Sequence, residues 1–230
     1  MLVVGVDGCP GGWLAVAYDD EAGTLTPAVH RSFAELLAAY PDAVRIGVDI
    51  PIGLAEGEPR RADFEARKVL GPRRNSVFPA PDPRVVTAGT YGEANRRGQA
   101  LNGKGISQQA FAIFPKILDV NQIMTPALQG RVFEVHPEVC FWALGGRPMA
   151  HPKRTVEGFD ERRSFLTAAL GVELPDRSTA GAIAKPAGAD DVLDATAAAW
   201  SARRDALGRS GRLPDAVQIA GRGLRMEMVY

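Results

Sequence analysis

The sequence predicts a single α/β domain, residues 1–230, built around a mixed β-sheet. The first observation is a phrase that occurs twice, as VGVDG at residues 4–8 and as IGVDIP at residues 46–51. Each copy is a short apolar run that ends in an aspartate and turn formers, which is typical of a buried strand. The second observation is a helical pattern between the copies, which favours parallel pairing of the two strands. The third is a late alanine-rich helix, whose small side chains let it lie close to a sheet.

Composition and charge exclude several classes of protein. Hydrophobic residues make up 46% of the chain, as in an ordinary globular protein, and no apolar run is long enough to span a bilayer. The two cysteines, Cys9 and Cys140, have no metal or redox spacing, and no signal peptide is visible, so we predict a cytoplasmic protein without a membrane partner. The net charge is zero, but residues 1–57 carry 2 basic and 8 acidic groups and residues 58–104 carry 10 and 5. An acidic site facing a basic flap suits an enzyme for a polyanion, while a solvated charged face is an equal alternative.

The amino-terminal quarter predicts three strands, a helix and a fourth strand. Turn residues at 9–12 and 20–23 divide the first strand from strands at Trp13–Tyr18 and Thr24–His30, which gives a meander. Ser32 can cap a helix over Phe33–Ala39, with Glu35 at the capping-box position. Val44–Asp49 is the fourth strand, and the first strand is its expected parallel neighbour.

Prolines and glycines punctuate residues 50–125, which we interpret as an insertion over the acidic edge of the sheet. The pattern predicts helices over Ala62–Leu70 and from Tyr91 to about Gly98, with a basic extended stretch at 73–81 between them. Residues 102–105 form a flexible connector. A helix then runs from Ser107 through Leu118, bent at Pro115.

The remaining half predicts one more strand of the sheet, three helices and a closing strand. Val132–His136 is the fifth strand, and its alternation places Glu134 and His136 on one face. The other elements are a short buried helix near Val139–Leu144, helices over Glu161–Leu170 and Asp190–Leu207, and an edge strand over Leu224–Tyr230.

The two strand-end aspartates form the first part of a predicted site. Side-chain alternation puts Asp7 on the face of Gly5 and Asp49 on the face of Gly47. In parallel neighbours the two acids lie about 5 Å apart at Cβ, at the edge where open α/β sheets bind ligands. Two anions at that distance require a proton or a cation between them, and a hard divalent metal such as Mg²⁺ meets that need. The alternative is that each aspartate is simply a turn residue after a strand.

The late helix supplies the second part of the predicted site. Asp191 and Asp194 are three residues apart, so they share a helix face with the alanine stripe. Acids in a first helical turn also complement the helix dipole, which accounts for Asp190 and Asp191 but poorly for Asp194. We therefore expect Asp194 to have a role beyond capping.

Five blocks of the sequence carry a family resemblance. They are VGVDGCPGGW at 4–13, VDIPIG at 48–53, GPRRNSVFPA at 71–80, EVHPE at 134–138 and DDVLDA at 190–195. Together they resemble the ribonuclease H-like superfamily and, more closely, the predicted nucleases known as domain of unknown function 429. The resemblance implies a five-stranded mixed sheet of order 3-2-1-4-5 with helices on both faces. It also implies a metal site formed by Asp7, Asp49, Asp191 and Asp194.

The resemblance implies a nuclease that hydrolyses phosphodiester bonds in DNA or RNA. Two Mg²⁺ or Mn²⁺ ions, both present when substrate is bound, would activate the water and stabilise the leaving oxygen. In this scheme Glu35 serves as a helix cap, so Glu134 is the candidate fourth ligand. His136 would orient water or carry a proton, although a structural hydrogen bond is the commoner role for such a residue. Arg73, Arg74, Ser76 and Lys116 are the candidate contacts to the phosphate backbone.

Two other functions stay open at this stage. Actin-like ATPases and sugar kinases share the same core, but they normally carry two such halves, and no convincing glycine-rich adenosine motif precedes the last helix. A non-catalytic binding protein on this fold is the third alternative, because fold alone does not determine function. The sequence does not distinguish DNA from RNA or endonuclease from exonuclease action, and it leaves the oligomeric state open, with a homodimer as one option.

Overall fold

The central sheet has five strands in the order β3-β2-β1-β4-β5. This arrangement is taken from a computed structural model that describes residues 1–230. The strands are β1 (Leu2–Cys9), β2 (Gly12–Asp19), β3 (Thr24–His30), β4 (Arg45–Val48) and β5 (Val132–Glu134). β1 runs antiparallel to β2 and parallel to β4, and β4 runs parallel to β5. The predicted strand order and mixed character are confirmed, and they are consistent with a ribonuclease H-like fold.

Ten α-helices and a second, two-stranded sheet complete the chain. The helices are α1 (Phe33–Ala39), α2 (Arg61–Leu70), α3 (Pro83–Val86), α4 (Tyr91–Asn102), α5 (Gln108–Ala112), α6 (Phe114–Asn121), α7 (Pro137–Gly145), α8 (Val156–Leu170), α9 (Arg177–Ile183) and α10 (Ala189–Ala206). Short 3₁₀ helices cover Gly71–Ser76 and Leu128–Gly130. The second sheet pairs β6 (Arg212–Ile219) with β7 (Arg225–Val229). No helix combines the length and the hydropathy that crossing a membrane requires.

Strand alternation divides the core into two layers, one on each face of the sheet. Val3 and Leu14 pack with α10 in one layer, while Val4, Val6 and Val48 pack in the other with the helices of the insertion. This is the division that the alternating pattern predicts. Burial of apolar surface on both faces therefore fixes which side chains of β1 and β4 point toward α10.

α10 lies directly on two glycines of the sheet. An added Cβ at Gly5 would sit 1.9 Å from the carbonyl oxygen of Ala195, and one at Gly47 would sit 2.9 Å from that of Ala198. Only glycine permits so close an approach of helix and strand backbones. The prediction that small residues let this helix lie close to the sheet is confirmed.

The insertion differs from its prediction in three places. The first four residues of the stretch predicted to be extended, 73–81, belong to a 3₁₀ helix over residues 71–76, because Gly71 takes a positive φ of 49° and Pro72 opens the new turn. α4 continues past Gly98 to Asn102. Pro115 does not bend one helix; it lies in the first turn of α6, where its missing N–H costs nothing.

The carboxyl-terminal half also departs from prediction. β5 ends at Glu134, and His136 becomes the residue that precedes α7. α9, a short helix capped by the Asp176 side chain, was not predicted. β7 is a strand, as expected, but it pairs with β6 in a separate hairpin instead of closing the edge of the main sheet.

Candidate functional site

Asp7 and Asp49 lie side by side at the carboxyl edge of the sheet. Val6 of β1 is paired with Val48 of β4, and the backbone N–H of Asp49 donates to the Val6 carbonyl at 2.9 Å, which extends the parallel register to the two acids. The Asp7 carboxylate is buried and accepts one hydrogen bond, from the backbone N–H of Gly8 at 2.7 Å. Asp49, taken as a whole residue, is partly exposed.

α10 brings a third carboxylate to the same edge. Because the helix rests on Gly5 and Gly47, its first turns reach the face that carries Asp7. Asp194 is buried there and interacts with both strand-end acids. Asp191 lies one turn earlier, and its carboxylate accepts the Gly188 backbone N–H at 2.8 Å, so it caps the helix. Its charge also acts on Asp7, and its role as a metal ligand stays a prediction. We call Asp7, Asp49 and Asp194 the acid cluster.

One cation, Lys153, contacts the acid cluster directly. It lies in the segment between α7 and α8, and its Nζ donates to Asp194 Oδ2 at 2.7 Å. The side chain remains 43% exposed, and the Asp194 charge raises the pKa of the ammonium. Lys153 therefore neutralises one of the three carboxylates and leaves the cluster with an excess of negative charge.

Burial and mutual repulsion act on the protonation of the acid cluster. Burial, followed by the charges of Asp49 and Asp194, raises the pKa of Asp7 well above its usual range. Burial also raises the pKa of Asp49 to about 6, against the opposing charges of His136 and Lys153. The pKa of Asp194 is raised by burial in spite of Lys153. A group of buried acids that repel one another is stabilised by any added positive charge.

A cationic pocket adjoins the acid cluster. Its volume is about 350 Å³, and Lys153 belongs to both features. The pocket is also lined by Arg73, Ser76, Arg154 and the buried Arg162. Arg162 donates to both carboxylate oxygens of Glu138, at 2.9 and 2.8 Å, which makes a rigid wall.

The side chains of the cluster match a divalent metal in chemistry but are not arranged as a formed metal centre. No three Asp, Glu, His or Cys side chains stand together in coordinating geometry. The donors are carboxylate oxygens, which hard divalent cations prefer, and their charge exceeds that of Lys153. A cation at this edge would meet the unbalanced charge of Asp7 and Asp49.

Comparison with known proteins places the chain in a family. Residues 5–219 match the family model described as protein of unknown function (DUF429). The chain belongs to the DUF429 family. No curated protein and no solved structure gives a significant match. The matched range of this DUF429 protein includes the acid cluster, Lys153 and the cationic pocket.

The expectation that Glu134 serves as the fourth metal ligand in this DUF429 protein is wrong. Glu134 is in register with Val48, whose side chain points away from α10, so Glu134 lies on the face opposite Asp7. Its carboxylate forms a buried ion pair with Arg60 and accepts the Ile52 backbone N–H at 2.7 Å. Glu134 thus anchors the start of the insertion to β5.

His136 lies close enough to Asp49 that a positive charge on its imidazole, when present, opposes the rise in the Asp49 pKa. Its Nε2 is 3.3 Å from the Ser76 carbonyl oxygen, and its buried Nδ1 has no partner. In the tautomer that donates from Nε2, Nδ1 is a free acceptor. His136 therefore joins the start of α7 to the 3₁₀ helix that carries Arg73.

The predicted phosphate contacts are placed at different positions in this DUF429 protein. Arg73 and Ser76 line the cationic pocket, whereas Arg74 is exposed outside it. Lys116 lies over the β1–β2 turn, where it donates to the Gly12 carbonyl, packs against Gly8 and stands 4.7 Å from the centre of the Trp13 ring. The structure thus separates the four residues into a pocket pair, an exposed arginine and a lysine at the hairpin.

Sequence reasoning missed Lys153, Arg154 and the Glu138–Arg162 pair. Lys153 and Arg154 belong to a short HPKR stretch with no recognisable motif, and their importance depends on where the segment folds. Glu138 was part of the EVHPE block, but its partner lies in α8. A basic pair in the loop between α7 and α8 is the only local signal that the sequence offers.

We expect the free energy of unfolding of the metal-free protein to fall as the pH rises from about 5 to about 7.5. The folded-state pKa of Asp49 is raised to about 6, so its contribution is full below the unfolded-state value and is lost as the pH rises through 6. The expected loss between these two pH values is about 1.5 kcal/mol. Chemical denaturation in EDTA at both pH values measures it. Because burial also raises the pKa of Glu134 to about 7, only the difference between wild type and Asp49→Asn reports the cluster, and identical pH profiles for the two would contradict the prediction.

Proposed function

We propose that this protein is a metal-dependent nuclease that hydrolyses phosphodiester bonds. The observation that carries the proposal is the acid cluster, in which carboxylates from the ends of β1 and β4 and from α10 lie close enough for their charges to interact and only one cation, Lys153, contacts them. Such excess charge is costly without a further cation. The adjoining cationic pocket supports a substrate that is an anion.

The residues have distinct roles in this proposal. Asp7, Asp49 and Asp194 hold Mg²⁺ or Mn²⁺, which when bound lowers the pKa of water and stabilises a leaving oxygen. The Gly8 backbone N–H fixes the orientation of the Asp7 carboxylate. His136 offers its unpaired Nδ1 as an acceptor for a proton from the attacking water. Arg73, and Lys116 at the hairpin, hold phosphate oxygens.

The pocket lining favours a nuclease over an ATP-dependent phosphotransferase. No aromatic side chain lines the cationic pocket, so it offers no surface on which an adenine would stack.

Both cysteines are free and buried, which agrees with the reducing cytoplasm that we propose as the location of this protein.

A cleavage assay tests the proposed function. Purified protein is incubated with labelled single-stranded, duplex and branched DNA and RNA, with Mn²⁺ or with EDTA. We expect cleavage that requires the metal and is lost in Asp194→Asn. Asp42→Asn is the matched control, because Asp42 is exposed in the turn before β4, at the opposite edge of the sheet. Absence of cleavage of every substrate in Mn²⁺, or equal cleavage by Asp194→Asn, would reject the proposal.

Removal of Lys153 is expected to strengthen metal binding. The Lys153 ammonium and a metal ion compete for Asp194, so Lys153→Met should raise the affinity for Mn²⁺ about threefold to tenfold, which is about 1 kcal/mol. Titration calorimetry with Mn²⁺ measures the affinity. Lys104→Met, in the exposed connector after α4, is the control and should bind Mn²⁺ as wild type does. A weaker affinity in Lys153→Met would show that Lys153 assists the metal instead of competing with it.

A further inference from the structure

The charges around the cationic pocket do not balance. Lys153 is paired with Asp194, and Arg162 is paired with Glu138 through two hydrogen bonds. The Arg73 Nε atom is 4.0 Å from Glu138 Oε1, which is too far for a hydrogen bond, and that oxygen already accepts a hydrogen bond from Arg162. The Arg154 side chain forms no ion pair. Arg73 and Arg154 therefore contribute two positive charges in excess.

This excess matches one kind of phosphate better than another. A phosphodiester carries a single negative charge, whereas a phosphomonoester carries about 1.5 to 2 at neutral pH. Two arginines also suit a group with three free oxygens, because each guanidinium can donate two parallel hydrogen bonds. Charge and donor number together favour a terminal phosphate over a phosphate inside a chain.

The size and lining of the pocket limit what accompanies the phosphate. Its volume of about 350 Å³ is larger than a phosphate group needs and admits the attached sugar. The lining contains arginine, lysine, asparagine, serine, proline and one glutamate, Glu138, which is paired with Arg162, but no aromatic residue, so a base gains no stacking there. Recognition thus depends on the phosphate and not on base identity.

We infer that the cationic pocket binds a phosphomonoester, either the terminal phosphate of a polynucleotide or the phosphate of a mononucleotide. Because Lys153 lines the pocket and also contacts Asp194, a bound chain end lies next to the acid cluster. The phosphodiester bond that lies next to the acid cluster is then close to the phosphorylated end of the polynucleotide. This inference rests on the proposed nuclease function for its biological use, but the binding itself needs no metal and no cleavage.

Binding measured in EDTA tests the inference separately from catalysis. Short oligonucleotides of one sequence carry a 5′-phosphate, a 3′-phosphate or hydroxyl ends only, and fluorescence anisotropy gives their affinities. We expect one phosphorylated form to bind about tenfold more tightly than the hydroxyl form. Inorganic phosphate and a 5′-mononucleotide serve as competitors. If both competitors displace the bound oligonucleotide but the oligonucleotides bind equally well, the pocket binds the phosphate of free nucleotides, and the inference that it binds a phosphomonoester stands.

Arginine variants show whether the preference comes from this pocket. Arg73→Ala and Arg154→Ala should each remove most of the preference for the phosphorylated end. Because Arg154 is exposed and its side chain forms no ion pair, Arg154→Ala leaves the fold intact. Arg209→Ala is the matched control, since Arg209 lies beyond the carboxyl end of α10 and is exposed. Equal affinity for every end and no displacement by phosphate or mononucleotide, or a preference that survives both pocket variants, would overturn the inference. Metal-dependent cleavage without such a preference would leave the nuclease proposal standing.

Discussion

Asp7→Asn is expected to abolish metal-dependent cleavage while making the metal-free protein more stable. The amide keeps the shape of the side chain and can still accept the Gly8 backbone N–H, but it removes one charge from the acid cluster. Loss of a central metal ligand should lower the cleavage rate about a thousandfold or more. Because burial and the charge of Asp49 disfavour the ionised form of Asp7, the same change should raise the free energy of unfolding in EDTA near pH 7.5.

The opposite signs of these two effects make the experiment decisive. Cleavage is measured in Mn²⁺, and stability is measured by denaturation in EDTA and again in Mn²⁺. Wild type should gain stability from Mn²⁺, whereas Asp7→Asn should gain little. Asp42→Asn should behave as wild type in all three measurements. A destabilised Asp7→Asn protein in EDTA would mean that the carboxylate is a structural hydrogen-bond acceptor and not one of a set of mutually repelling ligands.

Gly5→Ala is expected to cost at least about 3 kcal/mol of folding free energy and to disable the site. The added Cβ would sit 1.9 Å from the Ala195 carbonyl oxygen and 2.1 Å from the Ala199 nitrogen. Both are backbone atoms of α10, so no side chain can rotate away and the whole helix must move off β1. Asp194 would move with it and leave the acid cluster.

A graded series of glycine variants checks this explanation. At Gly47 the nearest backbone atom would be 2.9 Å from the new Cβ, so Gly47→Ala should cost less than Gly5→Ala. At Gly89 no atom lies within 4 Å, and Gly89→Ala should change the free energy of unfolding by no more than about 0.5 kcal/mol. Urea denaturation of the three proteins gives the order. Equal stabilities for Gly5→Ala and Gly89→Ala would show that α10 does not rest on the sheet as described.

Local signals in the sequence were sufficient for the sheet and for several helices. The Ser32 hydroxyl accepts the Glu35 backbone N–H at 3.2 Å, as the capping pattern predicts, and α1 has the predicted bounds. The sequence analysis did not predict β6 or α9, and the reason differs between the two elements. Pro214 and Asp215 interrupt the alternation of β6, and α9 is a short helix whose main local mark is its Asp176 cap. Elements held mainly by tertiary contacts leave a weak periodic pattern.

The candidate site was predictable where chain geometry fixes it and not where loops do. Alternation along β1 and β4 is sufficient to place Asp7 and Asp49 on one face. The same alternation separates Glu134 from Phe133 but cannot say which of them shares the face of Asp7, because that depends on the register of β5 against β4. Lys153 reaches Asp194 through a loop, and no periodicity encodes that contact.

The seating of α10 on Gly5 and Gly47 also has a consequence for biosynthesis. A ribosome releases β1 and β4 long before it makes the helix that covers them, since the chain emerges from its amino terminus. During that interval the strand backbone at Gly5 and Gly47 is not yet covered by α10, and Asp194 has not been synthesised. A nascent chain that has not yet reached α10 therefore lacks a complete cluster, so the activity proposed for this protein is withheld until that helix has been synthesised.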